Sequence, residues 1–228
     1  MNEIIPVVNC MDFGCVKRRF DAIHTLQTPW VHIDISDGKF APVTTWNNPL
    51  ELLTILASFG MNALNVEVHL MVENIETYLK QWSATKVKRF IVHVEALDRL
   101  DPEERQHVLL PYPSEYVVGL SILPQTSPEA LIPYILPLSY GSGTASTHFV
   151  QTLAVAPGFS SQPFQRSVLE KIRFLHEKMK DLTIEVDGGV TPSVVAEAKS
   201  AGANLFVSSS YLWGSKEPLV ALETLRSA

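Results

Sequence analysis

Cysteine is scarce in this chain of 228 residues, which has only Cys10 and Cys15. A bridge between them would be purely local, and free thiols in a cytosolic enzyme are the expected state. Positive charge is also limited. Lys and Arg number 18 against 24 Asp and Glu, a formal net charge of −6, and no basic block occurs. That excludes the clustered Lys/Arg footprint of a nucleic-acid binder. It leaves room for an anionic small substrate, since a local site can be positive inside an acidic protein. No apolar run is long enough to span a membrane. Met1-Asn2-Glu3 leads straight into an apolar strand, without the basic segment and long apolar stretch of a secretory signal. The expectation is a cytoplasmic chain with neither nucleic acid nor membrane as a partner. Charged residues make up 18% and are interspersed, which argues against disorder, while 46% hydrophobic residues suffice for a sizeable core.

Short apolar runs alternate with amphipathic stretches. Eight such runs stand out: Ile4–Val8, Val31–Ile35, Asn65–Leu70, Phe90–Val94, Tyr116–Ile122, Gln151–Val155, Thr183–Val186 and Asn204–Val207. Several are almost continuously apolar, as parallel strands buried on both faces require. Between them, Phe164 to Met179 puts Phe164, Val168, Leu169, Ile172, Leu175 and Met179 on one helical face. Thr191-Pro192 and Ser127-Pro128 read as helix starts, Asn74 as a cap and Gly202 as a helix stop. Prolines 102, 111 and 113 confine the fourth helix to a central segment, and Leu136–His148 reads as a loop. Eight strand–helix units in this length predict α/β architecture: one (β/α)₈ TIM barrel, a closed parallel eight-stranded sheet, with residues 1–228 as a single domain. An open doubly wound sheet is the competitor, disfavoured because no G-x-G-x-x-G follows the first strand.

Barrel active sites gather at the C-terminal ends of the strands. There the sequence places His32 and Asp34, His69, and Asp187 followed by Gly188-Gly189. His32 and Asp34, two apart, point to the same side of a strand. Singly, the His-x-Asp pair suits a local hydrogen bond, His69 a core histidine and Asp187 a turn. In a closed barrel they converge, and two imidazoles with two carboxylates suit a divalent transition metal. Glycine- and serine-rich turns late in the chain, at Gly158 with Ser160-Ser161, at Gly188-Gly189 and at Ser209-Ser210, are candidate anion cradles as well as plain βα turns. His93 and Glu95 are pocket or packing residues. His24, His107, His148 and His176 read as surface. Trp46 is a core anchor or a cover, Trp30, Trp82 and Trp213 pack, and Lys39 is a solvated loop residue.

Several words resemble one known family. Val31 to Pro42 is similar to the H-x-D-x-M-D-G-x-F-x-P signature of the ribulose-phosphate 3-epimerases. Val68-His69-Leu70-Met71-Val72, His93-Val94-Glu95, Gly119-Leu120 with Pro124 and Thr126, Val155 to Gln162 and Glu185 to Val190 resemble further family words in the same order, over nearly the whole chain. The resemblance implies a metal held by His32, Asp34, His69 and Asp187, usually zinc, with manganese, iron or cobalt as alternatives. It implies Asp34 and Asp187 as the acid/base pair that inverts C3 of ribulose 5-phosphate to give xylulose 5-phosphate in pentose-phosphate metabolism. It implies Met71 beside the enediolate, a phosphate on the glycine and serine turns, and a homo-oligomer. Departures from the pattern gather in the substrate pocket: Val7 for serine, Ser36 for methionine, Leu153 for methionine, Ala156 for glutamate, and Ser160-Ser161 and Ser209 for glycines. They leave an allulose 6-phosphate or other ketose-phosphate 3-epimerase, and a non-catalytic phosphate-binding relative, as alternatives.

Overall fold

A computed structural model describes residues 2–60, 64–109, 116–139 and 149–228. Strands β1 (Glu3–Val8), β2 (Trp30–Ser36), β3 (Asn65–Met71), β4 (Val87–His93), β5 (Val117–Ile122), β6 (Phe149–Leu153), β7 (Thr183–Asp187) and β8 (Leu205–Ser208) close into a barrel in chain order. Every pairing is parallel, and β8 returns to β1 through Ile5 opposite Val207. The expected TIM barrel is therefore the observed architecture.

The helices outside the ring are α1 (Phe13–Leu26), α2 (Pro49–Ser58), α3 (Ile75–Ser83), α4 (Val94–Leu97), α5 (Pro102–Leu109), α6 (Ile132–Ser139), α7 (Val168–Lys178), α8 (Pro192–Ala201), α9 (Ser210–Trp213) and α10 (Pro218–Ser227). Side-chain caps start several of them by accepting from otherwise unpaired N–H groups. Asp12 accepts from Cys15 N at 2.8 Å, Asn74 from Thr77 N at 3.1 Å and Thr191 from Val194 N at 3.4 Å. Gly202 ends α8 at φ 115°. Ser127 opens a 3₁₀ turn (Pro128–Leu131) that leads into α6, and its hydroxyl turns to Glu129 instead of capping. Among the described residues, no helix is long and apolar enough to cross a membrane.

Two apolar layers result from the twofold alternation of the strands. The outer faces pack on the helices around Phe20, Trp82, Phe90 and Phe206. Inside the ring lies a smaller cluster of Ile5, Val7, Ile91, Phe149, Leu205 and Val207. Trp46 is an anchor: it is buried, lies edge-on to Trp82 and donates to Glu51 Oε2 at 2.6 Å.

Some boundaries differ from the sequence reading. The helix expected from Phe164 begins at Val168, because Gln165 N bonds back to Ala154 O at 2.9 Å and holds the preceding segment against the end of β6. β4 starts earlier, with Lys88 and Arg89 inside it, and stops at His93, since Val94 opens α4. Charged residues at its start hid that extension. Helix α6 runs to Ser139, so the loop expected over Leu136–His148 is not loop at its beginning; residues 140–148, His148 among them, lie outside the described residues. Cys10 and Cys15 are not free thiols. They form a disulfide with Cα atoms 5.7 Å apart, because the Asp12 cap folds the first turn of α1 back toward the end of β1.

Gly119 on β5 marks the tightest close approach inside the ring. A Cβ there would meet Phe149 Cδ1 at 2.3 Å, and Phe149 is itself pinned under the Arg89 guanidinium at 4.0 Å. Gly119→Ala is expected to destabilise the barrel by roughly 1–3 kcal/mol through overpacking, read as a lower urea midpoint with an unchanged slope.

Candidate metal and substrate site

The β2–β3 register sets Asp34 directly beside His69, with His32 one inward-facing position below. Asp187 ends β7, three strand steps round the ring by way of β8 and β1. Their side chains meet. His32 Nε2 lies 3.1 Å from Asp34 Oδ1, His69 Nδ1 3.2 Å from the same oxygen, and Asp187 Oδ2 3.5 Å from His69 Nδ1 and 4.0 Å from His32 Nε2. One donor atom from each of the four lies within 4.8 Å of the others, and all four residues are buried. Two nitrogens and two oxygens converging in this way fit a divalent transition metal. The charge balance points the same way. Burial opposes a charge on His32, yet hydrogen bonds to Asp34 and Glu67 raise its pKa well above the usual imidazole range. His69 is raised as well, against burial, by Asp187 and Asp34. Asp34 is held far below the usual carboxylate range by the two imidazoles, again against burial. The carboxylates thus call for positive charge at the position a cation would take.

Above this cluster opens a cavity lined by the late βα turns. Met71, Gly158, Ser160 and Ser161 contribute to its wall, as do Gly188, Gly189, Ser209 and Ser210. Every expected substrate-side residue is therefore brought to one place. The Gly188-Gly189 turn admits no side chain. Both residues have positive φ, and a Cβ on Gly189 would sit 2.5 Å from Phe164 N. Ser161 adopts φ 66°, so the serine follows the left-handed backbone that glycine takes more cheaply. Gln162 fixes this loop by donating to Ala156 O at 2.7 Å and Phe159 O at 2.8 Å. Val7 and Leu153 add apolar wall, and Ser36 is buried, its hydroxyl 3.9 Å from Met71 Sδ. Among the described residues no lysine or arginine lines the cavity, and Lys39 stays exposed in the β2–α2 loop. Asp37 shapes that loop by accepting from Lys39 N and Phe40 N, and ties it to the next one through Glu73 N at 2.8 Å.

Sequence reasoning missed two features, Asn9 and a buried polar layer, and left His93 open between pocket lining and packing. Asn9, just past β1, donates to Asp34 Oδ2 at 2.9 Å. His93 is fully buried, with Nε2 2.8 Å from His69 Nε2, so it supports a site residue instead of lining the pocket. Burial, offset by the Glu95 hydrogen bond, lowers its pKa to about 4. A polar layer also lies beneath the site, made of Glu67, Arg89, Gln151 and Glu185. Burial, with the Glu67 charge beside it, pushes the Glu185 carboxyl well above the usual range. The period of two could have found this layer, since Glu67 and Glu185 each precede a site residue by two positions.

The model of the ribulose-phosphate 3 epimerase family matches residues 3–213. The cytoplasmic isoform of ribulose-phosphate 3-epimerase from Oryza sativa subsp. japonica is 30% identical over 227 residues, covering 99% of this chain and 93% of that protein. Ribulose-phosphate 3-epimerase of Chlamydia pneumoniae is 32% identical over 216 residues, covering 91% and 86%. Among solved structures, a 3-hexulose-6-phosphate synthase superposes with a TM-score of 0.65 at 11% identity, over 100% of this chain and 99% of that one, a likeness of fold alone.

Glu95 links the site to the wall beside it. Its Oε2 faces His93 Nδ1 at 3.3 Å, while Oε1 accepts from Leu123 N at 2.8 Å and from the Thr126 hydroxyl. Burial works against this carboxylate, but these partners lower its pKa from 4.5 to about 2. The stability it contributes is therefore full above pH 4.5 and lost as pH falls toward 2. Urea titrations at pH 6 and pH 3 should show Glu95→Gln less stable than wild type at pH 6, by about 1–3 kcal/mol. The difference should narrow at pH 3.

Proposed function

Because the chain belongs to the ribulose-phosphate 3-epimerase family, we propose that it inverts C3 of a phosphorylated ketose, interconverting ribulose 5-phosphate and xylulose 5-phosphate. The observation that carries the reading is the buried set His32, Asp34, His69 and Asp187, whose two aspartates reach the floor of the glycine- and serine-walled cavity. These four residues would hold one divalent metal, zinc by preference, with manganese, iron or cobalt as alternatives that the same donors accept. When bound, the metal supplies Lewis-acid stabilisation of the charge that develops on the substrate's oxygens.

Asp34 and Asp187 are the acid/base pair. Inversion needs a proton removed from one face of C3 and another delivered to the opposite face of the planar enediolate. Carboxylates carried by β2 and β7 reach the substrate from different sectors of the ring. Asp34, held ionised by its imidazole neighbours and Asn9, is in the form that takes a proton. The C3–H electron pair moves toward the C2 carbonyl as the proton leaves. A proton from the second carboxyl then restores the ketone with C3 inverted. Met71 lies beside the planar intermediate and excludes water there. The phosphate binds Gly158, Ser160 and Ser161, the Gly188-Gly189 turn, and Ser209 with Ser210, using backbone N–H groups and hydroxyls because that wall carries no cationic side chain. The protein works as a single 1–228 domain in the cytoplasm, as a homo-oligomer.

Val7 and Leu153 in the cavity wall, with serine at three positions where the family has glycine, favour a second reading on the same machinery: a six-carbon ketose phosphate such as allulose 6-phosphate.

Proton NMR of the C3–H signal in deuterium oxide tests the chemistry. Metal-reconstituted wild type should wash out that signal, whereas Asp187→Asn should exchange at least about 100-fold more slowly with an unchanged circular dichroism spectrum. Undiminished exchange in that variant would sink the assignment. Parallel tubes of ribulose 5-phosphate and allulose 6-phosphate decide the substrate. The proposal expects the pentose to turn over faster, and a faster hexose would select the second reading.

A further inference from the structure

The polar layer beneath the site takes no part in the proton transfer, yet it reaches a metal-site imidazole directly. The β2–β3–β4 register sets His32, Glu67 and Arg89 side by side across three strands. His32 Nδ1 lies 2.7 Å from Glu67 Oε1, and both side chains are fully buried. The other oxygen of Glu67 receives Arg89 Nε at 2.9 Å and Nη2 at 2.7 Å. Arg89 is fixed in turn, its guanidinium centred 4.4 Å from the Trp30 ring and 4.0 Å from the Phe149 ring. A carboxylate only accepts, so Nδ1 of His32 carries a proton. Nε2, which faces Asp34 at 3.1 Å and Asp187 at 4.0 Å, is then the nitrogen whose proton a bound metal would displace.

His69 is held the opposite way round. His93 Nδ1 donates to Glu95, so His93 Nε2 accepts from His69 Nε2, and Nδ1 of His69, again facing the two aspartates, is the nitrogen left for a metal to take. The two imidazoles thus use different nitrogens, each selected by the partner behind the ring. Only His32 has a charged partner.

We propose that Glu67, anchored by Arg89, is a positioning residue for the metal. It fixes the His32 tautomer and ring orientation, and its negative charge strengthens Nε2 as a ligand. This rests on the metal-site reading of the preceding section. His32, Glu67 and Glu185 also lie close enough together to hold a cation, and Glu185 Oε2 has no hydrogen-bond partner among the described residues. The Arg89 guanidinium on Glu67 already supplies the positive charge there, which favours support over ligation.

Zinc titration of the full chain against a chromophoric chelator gives stoichiometry and affinity. Long-range ¹⁵N–¹H spectra give the His32 tautomer, which a merely structural role for Glu67 would not set. Wild type should bind one equivalent, with the metal-induced shift on His32 Nε2 and a proton retained on Nδ1. Glu67→Gln, nearly isosteric, should fold normally and weaken zinc binding roughly 10- to 100-fold; Glu67→Met should weaken it further. An affinity within twofold of wild type in Glu67→Gln overturns the proposal. So does a metal shift on Nδ1, measured in wild type without any variant, or a second zinc equivalent that Glu67→Gln removes. Wild type that binds no zinc overturns the metal-site reading and this inference with it. Binding that is lost in Asp187→Asn but kept in Glu67→Gln overturns this inference alone.

Discussion

A charge taken out of water inside the ring must find its opposite within hydrogen-bonding reach, and this requirement organises the protein from its floor to its pocket. An isolated buried carboxylate would be too costly to keep ionised. Here Arg89 meets Glu67, Glu67 meets His32, and His32 and His69 meet Asp34 and Asp187 in one continuous column. Removing the charge of one partner from such a pair leaves the other uncompensated, so the members of the column are energetically coupled.

The closed parallel sheet makes the column possible. Successive strands rise in the same direction and in register, so residues far apart in sequence become lateral neighbours: His32 beside Glu67, Glu67 beside Arg89, Gln151 beside Glu185. The alternation along each strand sends these groups inward and sends apolar partners such as Ile33, Val68 and Val186 out to the helices. The ring interior is accordingly polar where it approaches the site and apolar around Ile5, Phe149 and Leu205. The turns that leave the strands need not carry charge. They supply backbone and hydroxyl groups around a space that the column beneath makes electrostatically distinct.

Much of this was legible in the chain. Runs such as Val31–Ile35 and Thr183–Val186 announce buried parallel strands, because both their faces are covered and apolar residues need not alternate with polar ones. Thr191-Pro192 and Asn74 announce helix starts through hydrogen bonds made within three residues. The words around His32, Asp34, His69 and Asp187 identify the residues that the barrel brings together. Less legible were features that depend on what lies opposite. Phe164 has helical periodicity, but a bond from Gln165 to Ala154 keeps it out of the helix. Nothing local marks Arg89 in the sequence, yet Trp30, Phe149 and Glu67 hold it half-buried inside the ring. Cys10 and Cys15 read as separate thiols until the Asp12 cap folds them together.

The sequence by itself determined the number of strands, the closure they favour and the identity of the groups at the strand ends. Those properties follow from local periodicity, capping and short words. Only the tertiary structure decided which nitrogen of each imidazole faces the aspartates, which carboxylate stands behind His32, and that His93 supports His69 instead of lining the pocket. The reason is physical: a tautomer or a buried charge is set by the atom across the gap, and in a barrel that atom comes from another strand.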